Sequence, residues 1–334
     1  CLLNQNDTSS QFKEQSLLSP ENPLFRQAQS GRLRLPEAWL SRWPVLIEKV
    51  LYPGLLLIFA YLVTILSSIV GLPLLVIPYF FPALQESAWG AFLILSGAFL
   101  PFFFLIWIWL WVFERRSLWT TGMERPILRR YVRGLVVGLI MFTAVIGFLA
   151  LFDAVITETP LAGRFSLTAV AGALLIFCGW MIQGAAEELL ARGFLLPVLG
   201  TRWGPLVGVI VSSLFFALLH LANPYISVLS LLNLTLFGLF AALYALHEGA
   251  LWGIFAIHAV WNWAQGNLYG FSVSGLEIVN GVVLFDLIED GPDWLTGGLF
   301  GPEGGLVVTL VLIISILLVW FAGRRGGNKI APDG

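Results

Sequence analysis

Residues 167–200, LTAVAGALLIFCGWMIQGAAEELLARGFLLPVLG, combine an apolar run of membrane length with charged side chains in its middle. Glu187 and Glu188 directly follow twenty uncharged residues. The sequence after them stays apolar apart from Arg192. An apolar helix of about 20 residues can cross a bilayer. An ionisable group at bilayer depth costs roughly 2.5–3.5 kcal/mol, so such groups usually face a bundle interior and mark a site.

The composition of the whole chain is that of a protein that lies mostly in the membrane. Of its 334 residues, 58% are hydrophobic and only 11% are charged, whereas a soluble domain carries about 25% charged residues. The formal net charge of −2 gives no reason to expect a nucleic-acid partner. The two cysteines, Cys1 and Cys178, exclude a disulfide framework, and we expect Cys178 to be a small buried residue.

Eight apolar segments are long enough to span a bilayer, which predicts an all-α, polytopic membrane helix bundle. They cover about residues 50–80, 89–113, 132–153, 168–198, 205–221, 227–246, 249–265 and 304–322. The chain accordingly divides into a polar, largely disordered N-terminal tail (1–44), the transmembrane helix bundle (45–325) and a short C-terminal tail (326–334).

Basic residues between these segments predict the orientation of the bundle. Arginines and lysines concentrate in the N-terminal tail, in the loop of residues 115–133 and at the C terminus, which share one side if there are eight spans. The other side receives the acidic loop of about residues 267–302. The positive-inside rule therefore places both termini in the cytoplasm. We expect a multi-pass protein of the plasma membrane, in particular of a bacterial inner membrane.

Two more of the apolar segments carry a histidine, although the chain has only three histidines. His220 ends the run LVGVIVSSLFFALLH, and His258 lies with Asn262 in LWGIFAIHAVWNW. At the helical rise of 1.5 Å per residue, these groups and Glu187 lie about 14–22 Å from the predicted cytoplasmic ends of their helices. Because three separate helices need not agree in depth, we expect the polar groups to meet in one pocket below the cytoplasmic leaflet.

Spacing along the helix separates the two glutamates. Glu188 and Arg192 are four residues apart, an arrangement that favours an ion pair. Glu187 is rotated by about 100° and can reach a different partner. A buried glutamate beside a histidine can hold a water molecule and take its proton. A second histidine and an amide can donate hydrogen bonds to the oxyanion that forms when the water attacks a carbonyl group.

The same residues also allow a metal-dependent route and functions of other classes. Glu187, His220 and His258 are suitable ligands for Zn²⁺ or another divalent metal, with water at the open position. Both routes hydrolyse a carbonyl compound, and the sequence leaves the choice open. Intramembrane glutamates and histidines also relay protons, so a proton-coupled transporter is an alternative. A non-catalytic immunity or interaction protein is another.

Three motifs, in this order, resemble those of the CPBP intramembrane protease family, which includes the CAAX prenyl endopeptidases and bacteriocin-processing proteins. The motifs are Glu187-Glu188-Leu-Leu-Ala-Arg192, Phe216-Ala-Leu-Leu-His220 and His258-Ala-Val-Trp-Asn262. The resemblance implies an eight-helix intramembrane endopeptidase with its catalytic core at about residues 165–265. Its substrate would be a membrane-associated protein or peptide that is cut within the lipid bilayer.

The resemblance also implies a role for each motif residue. Glu187 would act with His220 on the water. His258 and Asn262 would stabilise the oxyanion, and Glu188 with Arg192 would form the supporting ion pair. The family is described both as metalloproteases and as enzymes with a metal-independent glutamate mechanism, so the resemblance does not decide between the two routes.

Overall fold

The computed structural model describes residues 17–29, 36–158, 165–277 and 283–326. Within these ranges the chain is almost entirely helical, and eight long or apolar helices, α1–α8, form one bundle. Their bounds are Pro44–Val70 (α1), Ala88–Glu114 (α2), Leu128–Leu151 (α3), Leu167–Trp203 (α4), Pro205–Leu218 (α5), Val228–Glu248 (α6), Trp252–Trp263 (α7) and Leu306–Gly326 (α8). The predicted all-α, polytopic membrane fold is confirmed.

Six of the eight helices, all except α5 and α7, are long and apolar enough to cross a membrane. Helix α5 has 14 residues, and α7 has 12 before a six-residue π-helix, Ala264–Tyr269, extends it. Each of the eight predicted segments thus coincides with a helix. The number of eight complete crossings stays a prediction, and so does the cytoplasmic position of both termini.

Shorter elements connect and extend the eight helices. Short α-helices cover Pro23–Gln29, Glu37–Arg42, Leu72–Phe80, Pro82–Gln85 and Asp293–Thr296, and 3₁₀ turns cover Leu118–Thr121, Gly298–Phe300 and Pro302–Gly304. Segments of π-helix lie within α1, α2 and α4, at Ile47–Leu51, Leu110–Glu114 and Leu189–Leu195. Strands β1 (Val155–Thr157) and β2 (Leu287–Glu289) pair in antiparallel fashion, with Ile156 opposite Ile288.

Two predicted segments end earlier than expected. The first, 50–80, is divided at Gly71, where a Cβ atom would lie 1.7 Å from the carbonyl oxygen of Gly97. This close approach to α2 requires a glycine, and the chain starts a new helix at Leu72. The segment 205–221 ends as a helix at Leu218, so His220 lies in the turn that follows α5.

The N-terminal tail differs in part from the expected disorder. Residues 1–16 and 30–35 lie outside the described residues, but Pro23–Gln29 is a helix packed on the bundle. Phe25 is fully buried, and its ring lies so close to Gly200 that a Cβ atom there would be 2.2 Å from it. Asn22 Nδ2 also donates a hydrogen bond to the carbonyl oxygen of Leu246 at 2.9 Å. A few apolar residues in a polar segment therefore hold it against the bundle.

Helix α7 lies at the centre of the bundle, and all residues from Gly253 to Asn262 are buried. It packs on α3, where a Cβ atom at Gly138 would lie 2.5 Å from Val260 Cγ1. It also packs on α4, close to Gly184. The outer face of α4 is exposed, and Cys178 lies on that face, contrary to the expectation that it is buried. This packing holds the polar residues of α7 against the glutamates of α4.

Candidate active site

A cavity of about 530 Å³ lies between the helices, and most of the polar residues that the sequence predicts for the site line it. Residues of α1, α2, α4, α5, α6, α7 and α8 line it, together with residues 273–277 and 303 of the loops between α7 and α8. Its lining in α1 comes from residues 64–68, near the end of that helix, and its lining in α2 from residues 94–102, near the start. The cavity therefore extends from the middle of the bundle towards the end with the acidic loops.

This position differs from the expected pocket below the cytoplasmic leaflet. Under the predicted orientation, the basic segments lie at the opposite end of the bundle from the cavity opening. His258 lies about 9 Å along its helix from Trp252, and the cavity reaches it from the end of the bundle with the acidic loops.

Glu188, Arg192 and His258 form a buried polar group at the inner end of the cavity. Arg192 Nη1 donates to Glu188 Oε1 at 3.1 Å, and neither side chain is exposed. His258 Nδ1 lies 2.9 Å from the same carboxylate oxygen. Arg192 Nη2 donates to the carbonyl oxygen of Gly238 at 3.0 Å. Because a carboxylate accepts, His258 carries a proton on Nδ1, and its Nε2 is turned away from Glu188.

Glu187 has a different environment from its neighbour. Its side chain lines the cavity and is 14% exposed, while that of Glu188 is fully buried. Glu187 Oε2 has no hydrogen-bond partner among the described residues and lies 3.7 Å from His258 Nε2. A π-helical segment begins directly after the pair, at Leu189; such segments are frequent at functional sites. One carboxylate is thus held by protein partners and the other is directed to the cavity.

His220 reaches the same cavity from another element. Its Nδ1 lies 2.9 Å from the carbonyl oxygen of Phe216, one turn earlier in the chain. A carbonyl oxygen only accepts, so Nδ1 carries the proton and Nε2 of the neutral ring is free to accept. The ring of Phe216 lies 5.0 Å from the His220 ring and 6.0 Å from the His258 ring, between centroids. This aromatic side chain packs against both imidazoles.

Asn262 has a partner that the sequence analysis missed. Its Nδ2 donates to Gln183 Oε1 at 2.9 Å, and both side chains line the cavity. Gln183 precedes Glu187 by one helical turn and is therefore on the same face of α4. A glutamine four residues before the glutamate, in an otherwise apolar run, was a signal available in the sequence.

A second polar group that the sequence did not reveal lies at the outer end of the cavity. Glu303 Oε1 accepts from Trp261 Nε1 at 3.1 Å, and Glu303 Oε2 accepts from the backbone N and the Oγ of Ser274 at 2.9 and 2.7 Å. Asn233 Nδ2 donates to the carbonyl oxygens of Glu303 and Gly305, both at 2.8 Å. These bonds attach the loop of residues 270–305 to α6 and α7, so this loop forms part of the cavity wall.

The predicted metal ligands do not converge on one point. Among the residues that the structure describes, there is no group of three or more His, Cys, Asp or Glu side chains that could hold a metal ion. His258 Nδ1 is hydrogen-bonded to Glu188, and His220 Nδ1 is hydrogen-bonded to the carbonyl oxygen of Phe216. Glu187, His220 and His258 therefore do not fit a three-ligand zinc site. Metal binding itself stays a prediction.

The predicted residues fall into two groups in space. Glu187, His220, His258 and Asn262 line one cavity, and Glu188 with Arg192 lies behind it as a buried ion pair. The structure differs from the expectation in one respect, because His258 contacts the two glutamates while Asn262 contacts Gln183.

The family comparison agrees with this geometry. Residues 168–264 match the family model described as type II CAAX prenyl endopeptidase Rce1-like. This part of the chain is similar to that family. The match covers α4 to α7, the helices that carry all three motifs, so the resemblance to CPBP proteases is confirmed. Neither the curated proteins nor the solved structures contain a match to the chain. The similarity to the Rce1-like family, together with the six helices long and apolar enough to cross a membrane, supports a multi-pass membrane protease.

Proposed function

We propose that this Rce1-like protein is an intramembrane endopeptidase that uses Glu187 to activate water. The observation that carries the proposal is the Glu187 carboxylate, whose Oε2 lacks a hydrogen-bond partner among the described residues and which lines a cavity shared with His220 and His258. A carboxylate left in this state inside a membrane bundle costs free energy. That cost is understandable if a water molecule and a substrate complete its hydrogen bonds.

The proposed chemistry begins with a water molecule bound by Glu187 and by Nε2 of His220. Glu187 takes one proton while the water oxygen bonds to the carbonyl carbon of the scissile peptide, and the carbonyl electrons move to its oxygen. Asn262 Nδ2 has a second N–H to donate to this oxyanion, since only one is used by Gln183. The carbon–nitrogen bond then breaks, and the proton passes from Glu187 to the leaving nitrogen.

The buried group behind the cavity orients these reactive side chains. Glu188 fixes the tautomer and the direction of His258, and Arg192 balances the charge of Glu188. His258 Nε2 is within ion-pair distance of Glu187 Oε2. In the proposal, His258 therefore stabilises Glu187 in both protonation states, as an acceptor when Glu187 is protonated and as a cation when it is not.

The substrate that suits the cavity is a segment of a membrane-associated protein or peptide. The wall formed by Ile94, Leu95, Ala98, Phe99 and Phe102 of α2 is apolar and suits a hydrophobic chain. The family name refers to prenylated C-terminal CAAX sequences, and such a tail is one candidate of this class.

The experiment uses the full chain reconstituted in liposomes with quenched-fluorescent peptides, of which some carry a farnesylated C-terminal cysteine and others a single apolar span. Glu187→Gln keeps the shape of the side chain and removes the base, so we expect cleavage to fall by about 10²–10⁴-fold. His220→Gln should lower cleavage in the same range, because it removes the second ligand of the water.

Glu158→Gln is the matched control, because Glu158 is an exposed carboxylate outside the cavity. It should leave cleavage unchanged. Cleavage of every peptide at the wild-type rate by Glu187→Gln would refute the mechanism. Solute flux into the liposomes that depends on Glu187, without peptide cleavage, would favour the transporter alternative instead.

A further inference from the structure

A hollow of about 670 Å³ lies at the basic end of the bundle, far from the cavity described above. It is lined by Trp107, Trp111, Val112, Arg115, Arg116 and Ser117, where α2 ends and turns. The rings of Trp107 and Trp111 stack with 5.8 Å between centroids and 7° between planes, and 43% and 63% of these residues are exposed. An apolar, rigid strip thus leads to two adjacent cations.

The two arginines differ in how they are bound. Arg116 Nε lies 2.5 Å from Glu114 Oε2, and its side chain is only 4% exposed. Its Nη2 nevertheless has no hydrogen-bond partner in the described part of the chain. Arg115 is exposed and has no ion pair with any described residue. Among the described residues, the hollow therefore has one exposed positive charge without an ion-pair partner, that of Arg115, and the buried Arg116 beside it.

We propose that this hollow binds the headgroup of an anionic glycerophospholipid, with an acyl chain along Trp107 and Trp111. A phosphate oxygen accepts from the exposed guanidinium of Arg115, which also supplies the balancing charge. Tryptophan is enriched where acyl chains meet headgroups. Under the predicted orientation, this end faces the cytoplasmic leaflet, where anionic lipids attract basic residues.

The test is native mass spectrometry of the full chain after incubation with equal amounts of dioleoylphosphatidylglycerol and dioleoylphosphatidylcholine. We expect the wild-type protein to retain the anionic lipid in preference, by roughly fivefold per basic residue at the surface. Arg115→Gln should remove the preference. Arg129→Gln is the matched control, since Arg129 is an exposed arginine at the same end but outside the hollow, and it should keep the preference.

Three outcomes would overturn the lipid site. They are equal retention of both lipids by the wild-type protein, an unchanged preference in Arg115→Gln, and an equal loss in Arg129→Gln, which would indicate a diffuse charge effect. Inorganic phosphate is the remaining arm of the experiment. If phosphate alone displaces the bound lipid, the hollow is a free-phosphate site and the lipid assignment is wrong.

A different observation concerns the main cavity and rests on the proposed function. In the hydrogen bond between Asn262 and Gln183, the glutamine is the acceptor, so both N–H groups of Gln183 Nε2 remain available. If the two amides are exchanged end for end, Gln183 Nε2 keeps one free N–H and Asn262 Nδ2 keeps both. Gln183 is only 6% exposed, and it lines the cavity one turn from Glu187.

We infer that Gln183 is a second oxyanion donor beside Asn262. An oxyanion is best stabilised by two fixed donors, and removal of one typically lowers kcat by about 10²–10³-fold. His258 is less suited to this role, because its Nδ1 is hydrogen-bonded to Glu188 and its Nε2 faces Glu187. The two side-chain amides hold each other and leave N–H groups for the substrate oxygen.

The test measures kcat and KM for Gln183→Met in the liposome assay. We expect kcat to fall by about 10²-fold and KM to change little, because the lost bond forms only in the transition state. Gln265→Met is the matched control. Gln265 is a fully buried glutamine of the α7 extension that donates to Ser272 O at 2.6 Å and lies outside the cavity lining, so its loss should leave kcat unchanged.

A double-mutant cycle separates direct donation from positioning of Asn262. If Gln183 donates directly, Gln183→Met lowers kcat further in an Asn262→Ala background. No further loss in that background, or a change in KM alone, would overturn the inference. Wild-type kcat in Gln183→Met together with an inactive Glu187→Gln would refute only this role and leave the proposed function intact.

Discussion

Carboxylates at the two ends of the bundle differ in whether an arginine pairs with them. At the basic end each of three glutamates pairs with an arginine: Glu48 with Arg202 at 3.4 Å, Glu114 with Arg116 at 2.5 Å, and Glu248 with Arg133. Towards the cavity end, Glu187, Glu289 and Glu303 have no arginine or lysine within ion-pair distance among the described residues. Charge is neutralised where the helices are joined and left uncompensated where the cavity opens.

This contrast indicates which charges hold the fold and which are available for chemistry. The paired glutamates connect α1 to α4, the end of α2 to its following turn, and α3 to α6. Glu188 has features of both groups of carboxylates, because it is paired with Arg192 and also accepts a hydrogen bond from His258 at the active site. The neighbouring residues Glu187 and Glu188 thus differ in whether an arginine pairs with them. They therefore offer the most direct test of the comparison.

Replacement of Glu188 by alanine should have the largest effect on stability. It leaves the guanidinium of Arg192, which is fully buried, without its counter-charge. Removal of one partner of a buried ion pair costs roughly 3–5 kcal/mol. Unfolding in mixed micelles with increasing dodecyl sulfate measures this free energy.

Glu187→Ala is the control for that measurement, since it removes a carboxylate without a hydrogen-bond partner on Oε2. We expect its free energy of unfolding to change by less than about 1 kcal/mol. Equal destabilisation by the two substitutions would show that the division between a structural and a free carboxylate is wrong.

The sequence predicts the helices and the important polar side chains better than it predicts which side chains contact one another. Apolar length identified the helices, and the four-residue spacing predicted the pair of Glu188 with Arg192, because both depend on local geometry. The contacts of His258 with Glu188 and of Asn262 with Gln183 join residues 70 and 79 positions apart. Helix rotation and crossing determine such contacts, and a periodicity leaves both open.

The contacts of the loop of residues 270–305 could not be predicted from the sequence either. Its glycines and acidic residues are typical of a solvent-exposed connector, and nothing local indicates that Glu303 bonds with Trp261 and Ser274. The depth of the polar residues along their helices was also predicted less well, for a related reason. A run of apolar residues does not show where a helix ends, and α5 ends two residues before His220.

Gly200→Ala tests the basic end, where packing rather than catalysis is expected. An added Cβ atom would lie 2.2 Å from the ring of Phe25, so the helix Pro23–Gln29 has to move. Overpacking of this kind typically costs about 1–3 kcal/mol. We expect faster proteolysis within residues 17–29 and an unchanged kcat per folded molecule. A loss of kcat without local proteolysis would show that the two ends are coupled.

Glu289 tests the cavity end through pH. Burial, with a smaller contribution from the charge of Asp293, raises the pKa of Glu289 to about 7. The folded protein therefore holds this proton more tightly than the unfolded chain, so stability is greatest at low pH and falls as pH rises from the ordinary glutamate range through about 7. Thermal unfolding between these limits should show this slope in the wild-type protein and a smaller slope in Glu289→Gln. Identical slopes would mean that the strand pair does not bury this carboxylate in solution.

Metal removal should have the smallest effect on peptide cleavage. Among the described residues, the carboxylates at the cavity end do not form a cluster of three metal ligands with the histidines. After dialysis against a strong chelator, we expect peptide cleavage to stay within about twofold of the untreated enzyme, since a catalytic metal would be essential. Elemental analysis of the purified protein should find less than one equivalent of zinc. The prediction would be wrong if the chelator inactivated the enzyme, Zn²⁺ restored its activity, and Glu187→Gln bound less metal than the wild-type protein. In that case Glu187 and His258 move together to bind a cation, and the missing positive charge at this end of the bundle is supplied by the metal.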